Sequence, residues 1–241
     1  MTTNAASPQR LYLMQVASMP EPMNIPFPCY LVQTGDGKNV LIDSGLPLGD
    51  FSLPAGMPAP IRGKNVLEQL AMLDLRPEDI DLLVCTHFDG DHAGNHAAFP
   101  NAQLVVQREH YEVARNGHPR FAGVRSQWDL PTSRYRLIEG DFELLPGLEL
   151  IETSGHAPGH QSVLVRLPQS GPVLLTIDAV AQQSSFVPDR AAGPMDADQE
   201  GAIASTRKLL DLAQREHVSL VIFGHDNEQW QTLKKLPDYY G

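Results

Sequence analysis

The densest group of chemically useful side chains in the sequence is the segment 86–94, THFDGDHAG. Two imidazoles and two carboxylates lie within six residues, at His87, Asp89, Asp91 and His92. Imidazole nitrogens and carboxylate oxygens are the donors found in hydrolytic zinc and iron sites. The segment follows an apolar run at residues 82–85 that is typical of a buried strand. This pattern predicts a metal site at the end of a strand.

A metal site of this kind needs ligands from elsewhere in the chain, and three candidates follow other apolar runs. His156 lies in the segment 154–160, SGHAPGH, while Asp178 and His225 each end a predicted strand. A sheet brings the loops at its strand ends to one edge, so we expect these side chains to meet the His87 cluster. A single His or Asp in such a place is more often a cap or a solvated loop residue, but the complete set favours a metal centre.

Length and composition set limits on the kind of protein. The chain has 241 residues, 42% of them hydrophobic, and a net charge of −11. This length predicts one domain over residues 1–241 with a single substantial core. The negative charge argues against a nucleic-acid or anionic-membrane partner, because no cationic surface is available to release counterions. The only cysteines, Cys29 and Cys85, form no CxxC pair, so a cysteine-rich zinc module is excluded, and Cys85 is interpreted as a buried thiol.

The N-terminal residues and the hydropathy pattern indicate where in the cell the protein is expected. Residues 1–10 are polar and lack the apolar segment of a signal peptide. No apolar run reaches the length of about 18 residues that a membrane span requires. We therefore expect a cytoplasmic protein that acts on a small molecule, with a homodimer left open.

The periodicity of apolar residues predicts a mixture of strands and helices. Residues 51–62 are rich in Pro and Gly, which predicts a long loop. Helices are expected at residues 65–73, 92–99, 109–115 and 197–216, with a short one near the C-terminus. Strands are expected at residues 11–16, 29–33, 39–42, 82–85, 103–106, 136–138, 148–151, 162–166, 172–177 and 219–223. This order favours helices covering two packed sheets, an αββα sandwich of α/β class.

The motifs together resemble the metallo-β-lactamase superfamily, whose hallmark is HxHxDH followed by distant His, Asp and His ligands. The matching segments are 41–45 (LIDSG), 86–94, 155–160 (GHAPGH), 176–179 (TIDA) and 223–225 (FGH). Within the superfamily the chain is most similar to the N-acyl homoserine lactonases, through residues 106–112 (VQREHYE), the TIDA segment and the Pro-rich stretch 20–28. The resemblance implies a four-layer αββα sandwich and a metal-dependent hydrolase that opens a lactone ring, of the quorum-quenching type.

Two other functions stay open at this point. One is a different hydrolase of the same fold, such as an esterase, thioesterase or phosphoesterase. The other is a di-iron redox protein, since flavodiiron proteins resemble this chain in having a carboxylate at the second position of the motif. Those proteins also carry a flavodoxin-like domain, for which 241 residues leave no room.

The resemblance also implies a role for each residue of the site. It assigns two divalent metal ions, zinc first, with iron, manganese or cobalt as alternatives. Asp91 and Asp178 are the residues given catalytic roles, and Asp91 would pass a proton to the leaving oxygen. Asp43 and His160 would lie behind the ligands and orient them. The implied ligands are His87, Asp89 and His156 for one ion, Asp91, His92 and His225 for the other, and Asp178 between the two.

The sequence departs from the family pattern at two positions. Asp89 replaces the second His of HxHxDH, and an added carboxylate shifts the preference toward harder ions. Asp89 either ligates the first ion or points away and leaves that site weak. Ala181 stands where many of these lactonases have a Tyr that assists the substrate carbonyl, and Tyr111 or a loop residue could replace it.

An acyl tail on the substrate would need an apolar groove. The candidates for its lining lie in irregular segments, where ordinary packing under long loops is an equally good interpretation. They are Met19, Met23, Ile25, Phe27, Phe51 and Met57. The remaining histidines, His96, His110, His118 and His217, show no placement at a strand end and are predicted to lie at the surface.

Overall fold

The computed structural model describes residues 5–49 and 58–241 of the chain. The described strands are β1 (Pro8–Ser18), β2 (Pro26–Thr34), β3 (Asn39–Ile42), β4 (Ile61–Arg62), β5 (Leu82–Val84), β6 (Gln103–Gln107), β7 (Tyr135–Ile138), β8 (Phe142–Leu145), β9 (Leu148–Glu152), β10 (Gln161–Leu167), β11 (Gly171–Ile177) and β12 (Leu220–Phe223). The α-helices are α1 (Val66–Ala71), α2 (Arg108–Arg115), α3 (Arg125–Trp128), α4 (Gln199–Arg215) and α5 (Asn227–Thr232). Short 3₁₀ helices cover Pro77–Asp79, His96–Ala98, Pro119–Val124, Thr132–Arg134, Asp178–Val180 and Gln183–Ser185.

The strands form two mixed sheets. The first has the order β4-β1-β2-β3-β5-β6-β7, and the second has the order β12-β11-β10-β9-β8. In the first sheet β1, β2, β3 and β4 pair antiparallel, and β3, β5, β6 and β7 pair parallel. In the second sheet only β11 and β12 pair parallel. Parallel pairing needs crossover connections, which the helices of the chain provide.

Alternation of side chains along the strands builds the layers. In β6, Val105 faces the second sheet, whereas Leu104 packs under helices α1, α2 and α3. In β10, Val163 faces the first sheet, whereas Leu164 packs under α4. Successive side chains of a strand point to opposite faces, so both sheets are covered on both sides. The predicted αββα sandwich is confirmed.

One predicted helix is wrong. Residues 92–99 hold only the 3₁₀ turn His96–Ala98. The carbonyl of His92 accepts from the N–H of Ser44 at 2.7 Å, and the N–H of Gly94 donates to the carbonyl of Gly45 at 2.9 Å. These bonds hold the segment as a loop against residues 44–45, because its backbone groups are no longer free for helical pairing.

Most other predicted elements lie within a few residues of the structure. The strands and α-helices that were not predicted are β8, the short β4, which lies at the end of the loop predicted for residues 51–62, and α3 with the 3₁₀ helix Pro119–Val124 before it. No helix in the described ranges is long and apolar enough to cross a membrane.

Candidate metal centre

Five loops at one edge of the sandwich carry the site. Asp43 follows β3, His87 follows β5, and His156 lies in the connection between β9 and β10. Asp178 follows β11 and His225 follows β12. The sequence motifs are therefore brought together by strand ends, as the apolar runs before them predict.

Asp178 lies at the centre of the site. Its Oδ1 is the closer oxygen to His92 Nε2, at 3.3 Å, and to His225 Nε2, at 3.0 Å. Its Oδ2 is the closer oxygen to His156 Nε2, at 3.2 Å, and to His87 Nε2, at 3.8 Å. The carboxylate thus lies between two groups of imidazoles, which is the placement expected of a ligand shared by two ions.

The first half-site consists of His87, Asp89 and His156, whose ligand atoms lie within 4.8 Å of one another. Asp89 Oδ2 is 3.3 Å from His87 Nε2 and 3.4 Å from His156 Nε2. Of the two interpretations of Asp89, the geometry supports the one in which it points into the site.

The second half-site consists of Asp91, His92 and His225, which also fall within 4.8 Å. Asp91 Oδ2 is 3.5 Å from His92 Nε2 and 3.7 Å from His225 Nε2. Each half-site therefore offers two imidazole nitrogens and a carboxylate, with Asp178 available to both.

Buried atoms without partners test whether metal ions fit. Within the described chain His87 Nε2, His92 Nε2 and Asp178 Oδ1 are buried, and although other polar atoms of the site lie close to them, none is oriented to form a hydrogen bond with them. Burying such atoms unpaired is costly, and a coordinated cation removes that cost. The atoms, their donor types and their grouping fit a dinuclear centre of divalent ions.

Outer residues orient the imidazoles of the second half-site. His92 Nδ1 lies 2.8 Å from Asp43 Oδ2, and Asp43 also accepts from the backbone N–H and hydroxyl of Thr86. His225 Nδ1 lies 2.8 Å from the carbonyl of Pro26. Both acceptors require a proton on Nδ1, so the Nε2 lone pairs face the centre. Asp43 therefore lies behind His92 as seen from the proposed site, and its orienting role stays a prediction.

The first half-site has its own outer contacts, and the sequence analysis missed one of them. His87 Nδ1 lies 3.1 Å from Thr86 Oγ1. His156 Nδ1 lies 3.7 Å from Asp196 Oδ1, and Asp196 is paired with Arg190 and accepts from the N–H of Gly193. Asp196 thus faces the Nδ1 side of His156, as Asp43 does for His92, but at a longer distance than the 2.8 Å hydrogen bond of that pair.

Arg120 is the second residue that the sequence analysis missed. Its guanidinium contacts both oxygens of Asp89, with Nε 2.8 Å from Oδ1 and Nη2 2.6 Å from Oδ2. Nη2 is also 2.7 Å from His156 Nε2. The side chain of Arg120 is only 17% exposed, so this pair is largely shielded from water.

The charges of the site shift the pKa values of its groups. Burial opposes ionisation of Asp178, but the imidazoles of His225 and His92 outweigh it and hold its pKa well below the usual value. Burial also favours the neutral form of Asp89. The nearby imidazole of His87 and the hydrogen bonds that Asp89 accepts, including one from Arg120, outweigh burial and hold the pKa of Asp89 well below its usual value. Both carboxylates are therefore ionised near neutral pH, as cation ligands must be.

Three further histidines near the cluster are buried. His160 Nε2 accepts from the N–H of Asp178 at 3.3 Å, in line with its predicted place behind the ligands. The prediction that His96 and His110 lie at the surface is wrong. His96 Nδ1 pairs with Ser44 Oγ, and His110 Nε2 accepts from the N–H of Phe88, so both serve packing of the loops. Burial lowers their pKa values to about 4 and about 3.

The two tryptophans contact residues close in sequence to proposed ligands. Trp128 stacks on Phe88, the residue between His87 and Asp89, with ring centroids 5.0 Å apart. Its Nε1 donates to the carbonyl of Phe121. Trp230 Nε1 donates to the carbonyl of Phe223, two residues before His225.

The residues predicted to line an acyl groove differ in burial and in their contacts with the proposed site. Phe27 lies edge-on to His225, with ring centroids 5.9 Å apart. Met19 is buried in the core, which favours packing as its role, and Met23 is exposed. Phe51 and Met57 lie outside the described residues.

The hydroxyl of Tyr111 is engaged away from the proposed ligands, and Ala181 has no hydroxyl to offer. The Tyr111 hydroxyl is engaged by Arg115 Nε at 3.0 Å and by Thr132 Oγ1. Ala181 contributes its carbonyl, which accepts from the N–H of His225.

Comparisons with known proteins agree with this geometry. Residues 28–225 match the metallo-beta-lactamase superfamily. An N-acyl homoserine lactonase from Bacillus sp is 34% identical over 229 residues, covering 91% of this chain and 88% of that protein. The N-acyl homoserine lactonase AttM from Rhizobium radiobacter is 35% identical over 234 residues, covering 90% and 88%. A crystal structure of an AiiA variant from B. thuringiensis, with N-decanoyl-L-homoserine at its active site, has a TM-score of 0.83 and 29% identity, covering 97% of this chain and 100% of that chain.

Proposed function

The chain belongs to the metallo-beta-lactamase superfamily, and from that membership we propose that it is a quorum-quenching lactonase that hydrolyses N-acyl homoserine lactones. The observation that carries the proposal is the place of Asp178 between two half-sites of matching donor type. Lactonase relatives share about a third of its residues across the whole domain, and the solved relative holds the ring-opened product at its active site.

We propose zinc as the resident metal. Four imidazoles serve the two half-sites, and imidazole nitrogen is a preferred zinc donor. Asp89 adds one carboxylate beyond the family pattern, which makes iron, manganese or cobalt the alternatives to be measured.

A dinuclear centre supplies a nucleophilic water and polarises an ester carbonyl near neutral pH. The chain's own residues hold and orient that centre. Asp178 ties the two half-sites together, while Asp43 fixes the imidazole of His92. Asp91 is the most exposed of the three ligand carboxylates, at 23% against 15% for Asp89 and 7% for Asp178. It could therefore take up the proton that is released when water adds to the lactone carbonyl and pass that proton to the ring oxygen as the ring C–O bond breaks.

Phe27 is the described side chain best placed to contact an acyl tail. It borders His225 through an edge-on ring contact. Each buried methylene is worth about 0.8 kcal/mol, or about fourfold in affinity, so a groove beside Phe27 would make KM fall with tail length.

The experiment is a hydrolysis screen with the zinc-reconstituted protein. Acyl homoserine lactones of increasing tail length, a simple ester, a thioester and a phosphodiester are compared by proton release. We expect one proton per lactone ring opened, loss of turnover in His92→Ala, and an unchanged rate in the control His217→Ala, since His217 is exposed. Activity confined to thioesters or phosphodiesters would contradict the proposal.

A further inference from the structure

A guanidinium, that of Arg120, contacts the proposed ligands of the first half-site. We propose that Arg120 is a built-in cation of the first half-site that competes with its metal ion, so that the protein fills the second half-site first. This inference rests on the metal centre and goes beyond the substrate proposed for it.

Arg120 is held in place from several sides. It lies in the 3₁₀ helix Pro119–Val124 and makes a two-point contact with the carboxylate of Asp89. Its Nη1 donates to the carbonyls of His156 at 2.6 Å and Met195 at 3.0 Å. A guanidinium fits a carboxylate in this forked geometry better than any other side chain. Arg120 is therefore a fixed part of the half-site.

The contact with His156 sets up the competition. Arg120 Nη2 lies 2.7 Å from His156 Nε2, and a guanidinium nitrogen can only donate. Because Nη2 donates, His156 Nε2 must accept with its lone pair, and the Nδ1 side of the ring faces the carboxylate of Asp196 at 3.7 Å. One lone pair can accept from Arg120 or bind an ion, but it cannot do both. Metal binding at the first half-site must therefore displace Nη2.

The second half-site has no such competitor. Within the described chain, no Arg or Lys makes a hydrogen bond or ion pair with Asp91, His92 or His225. His92 Nε2 is buried and unpartnered, so its lone pair is free for an ion.

The positive charge of Arg120 should also weaken metal binding at the first half-site. Asp89 is the carboxylate that this chain has in place of a family histidine, and Arg120 offsets its charge. A divalent ion entering the first half-site is repelled by the guanidinium at close range, in a place where water screens little. The first half-site should therefore bind a divalent ion more weakly than the second, and loss of the guanidinium should strengthen it.

The test is a titration of metal-free protein with Co²⁺ by calorimetry, with metal counting after dialysis. For the wild type we expect one tight equivalent and a second that is weaker by at least about tenfold. In Arg120→Met the weaker equivalent should tighten by about tenfold or more, so that two ions survive dialysis. Arg166→Met is the matched control, because Arg166 also pairs with two carboxylates, Glu149 and Glu216, and it should titrate like the wild type.

A second measurement needs no variant. In wild-type crystals with one equivalent of Co²⁺, the anomalous peak should lie among Asp91, His92 and His225. A peak at His87 and His156, or equal affinities for two ions in the wild type, would overturn the inference. Neither measurement uses a substrate, so an active lactonase could still refute the inference and a protein inactive on lactones could still support it.

Discussion

Asp178 serves both half-sites, because its two oxygens lie toward different pairs of imidazoles. His225 serves only the second half-site. Asp178→Ala should therefore weaken binding at both, whereas His225→Ala should weaken one. We expect turnover to be lost in both variants and metal counting to separate them, with less than one ion retained in Asp178→Ala. Full metal content and a normal rate in Asp178→Ala would remove Asp178 from the ligand set.

Asp43 acts on the centre through His92. The change Asp43→Ala removes the acceptor that holds His92 Nδ1 and leaves the Thr86 N–H unpaired. Outer partners of this kind are typically worth about 10–100-fold in metal affinity or activity, so we expect that loss at the second half-site. Chelator competition measures it. Asp141→Ala, at an exposed surface carboxylate, should leave the affinity unchanged.

Single residues could be predicted from sequence where a local motif marks them. The proposed ligands stand at or soon after strand ends in recognisable segments, so the sequence alone predicts each of them. No local motif identifies Arg120, because it lies 31 residues from Asp89 in a segment without a regular pattern of apolar residues. The same holds for Asp196, which meets His156 only through tertiary folding. Electrostatic partners of a site are set by three-dimensional packing, which local patterns do not encode.

The loop that carries His156 depends on close approach to α4. Gly155 has φ +138°, and a Cβ there would lie 2.2 Å from the backbone nitrogen of Ala202. Gly155→Ala should therefore destabilise the fold by about 1–3 kcal/mol and displace His156. Thermal denaturation and metal counting check both effects. The control is Gly123→Ala, where a Cβ would meet nothing within 4 Å. Equal melting temperatures for the two variants would contradict the expectation.

Elements were predictable where burial repeats with a fixed period. The central strands are buried on both faces and read as apolar runs, and α4 shows helical spacing over its length. The segment 92–99 also has helical spacing, yet its backbone bonds go to Ser44 and Gly45. Hydrogen bonds to residues distant in sequence outweigh the helical preference of this segment. The amino acids of the segment alone do not predict those bonds.

The stability of the whole molecule should depend on its metal. Three buried ligand atoms, His87 Nε2, His92 Nε2 and Asp178 Oδ1, make no hydrogen bond within the described chain and would gain a partner when ions are bound. A ligand that binds the folded state alone adds about 2.7 kcal/mol of stability at a concentration of 100 Kd. We expect EDTA to lower the melting temperature and added Zn²⁺ to restore it. Asp178→Ala should show little of this dependence, and an equal response in that variant would argue against the site.

The chain has two tryptophans, of which Trp128 stacks on Phe88 next to His87, and Trp230 donates to the carbonyl of Phe223, two residues before His225. Indole emission is sensitive to ring stacking and to nearby charge, so the molecule carries a native optical probe for each ion. In Trp230→Phe the remaining emission would come from Trp128, against Phe88 and the first half-site. In Trp128→Phe it would come from Trp230, beside the strand that leads to His225. Stopped-flow traces of the two variants would then time the arrival of each ion separately, without any attached dye.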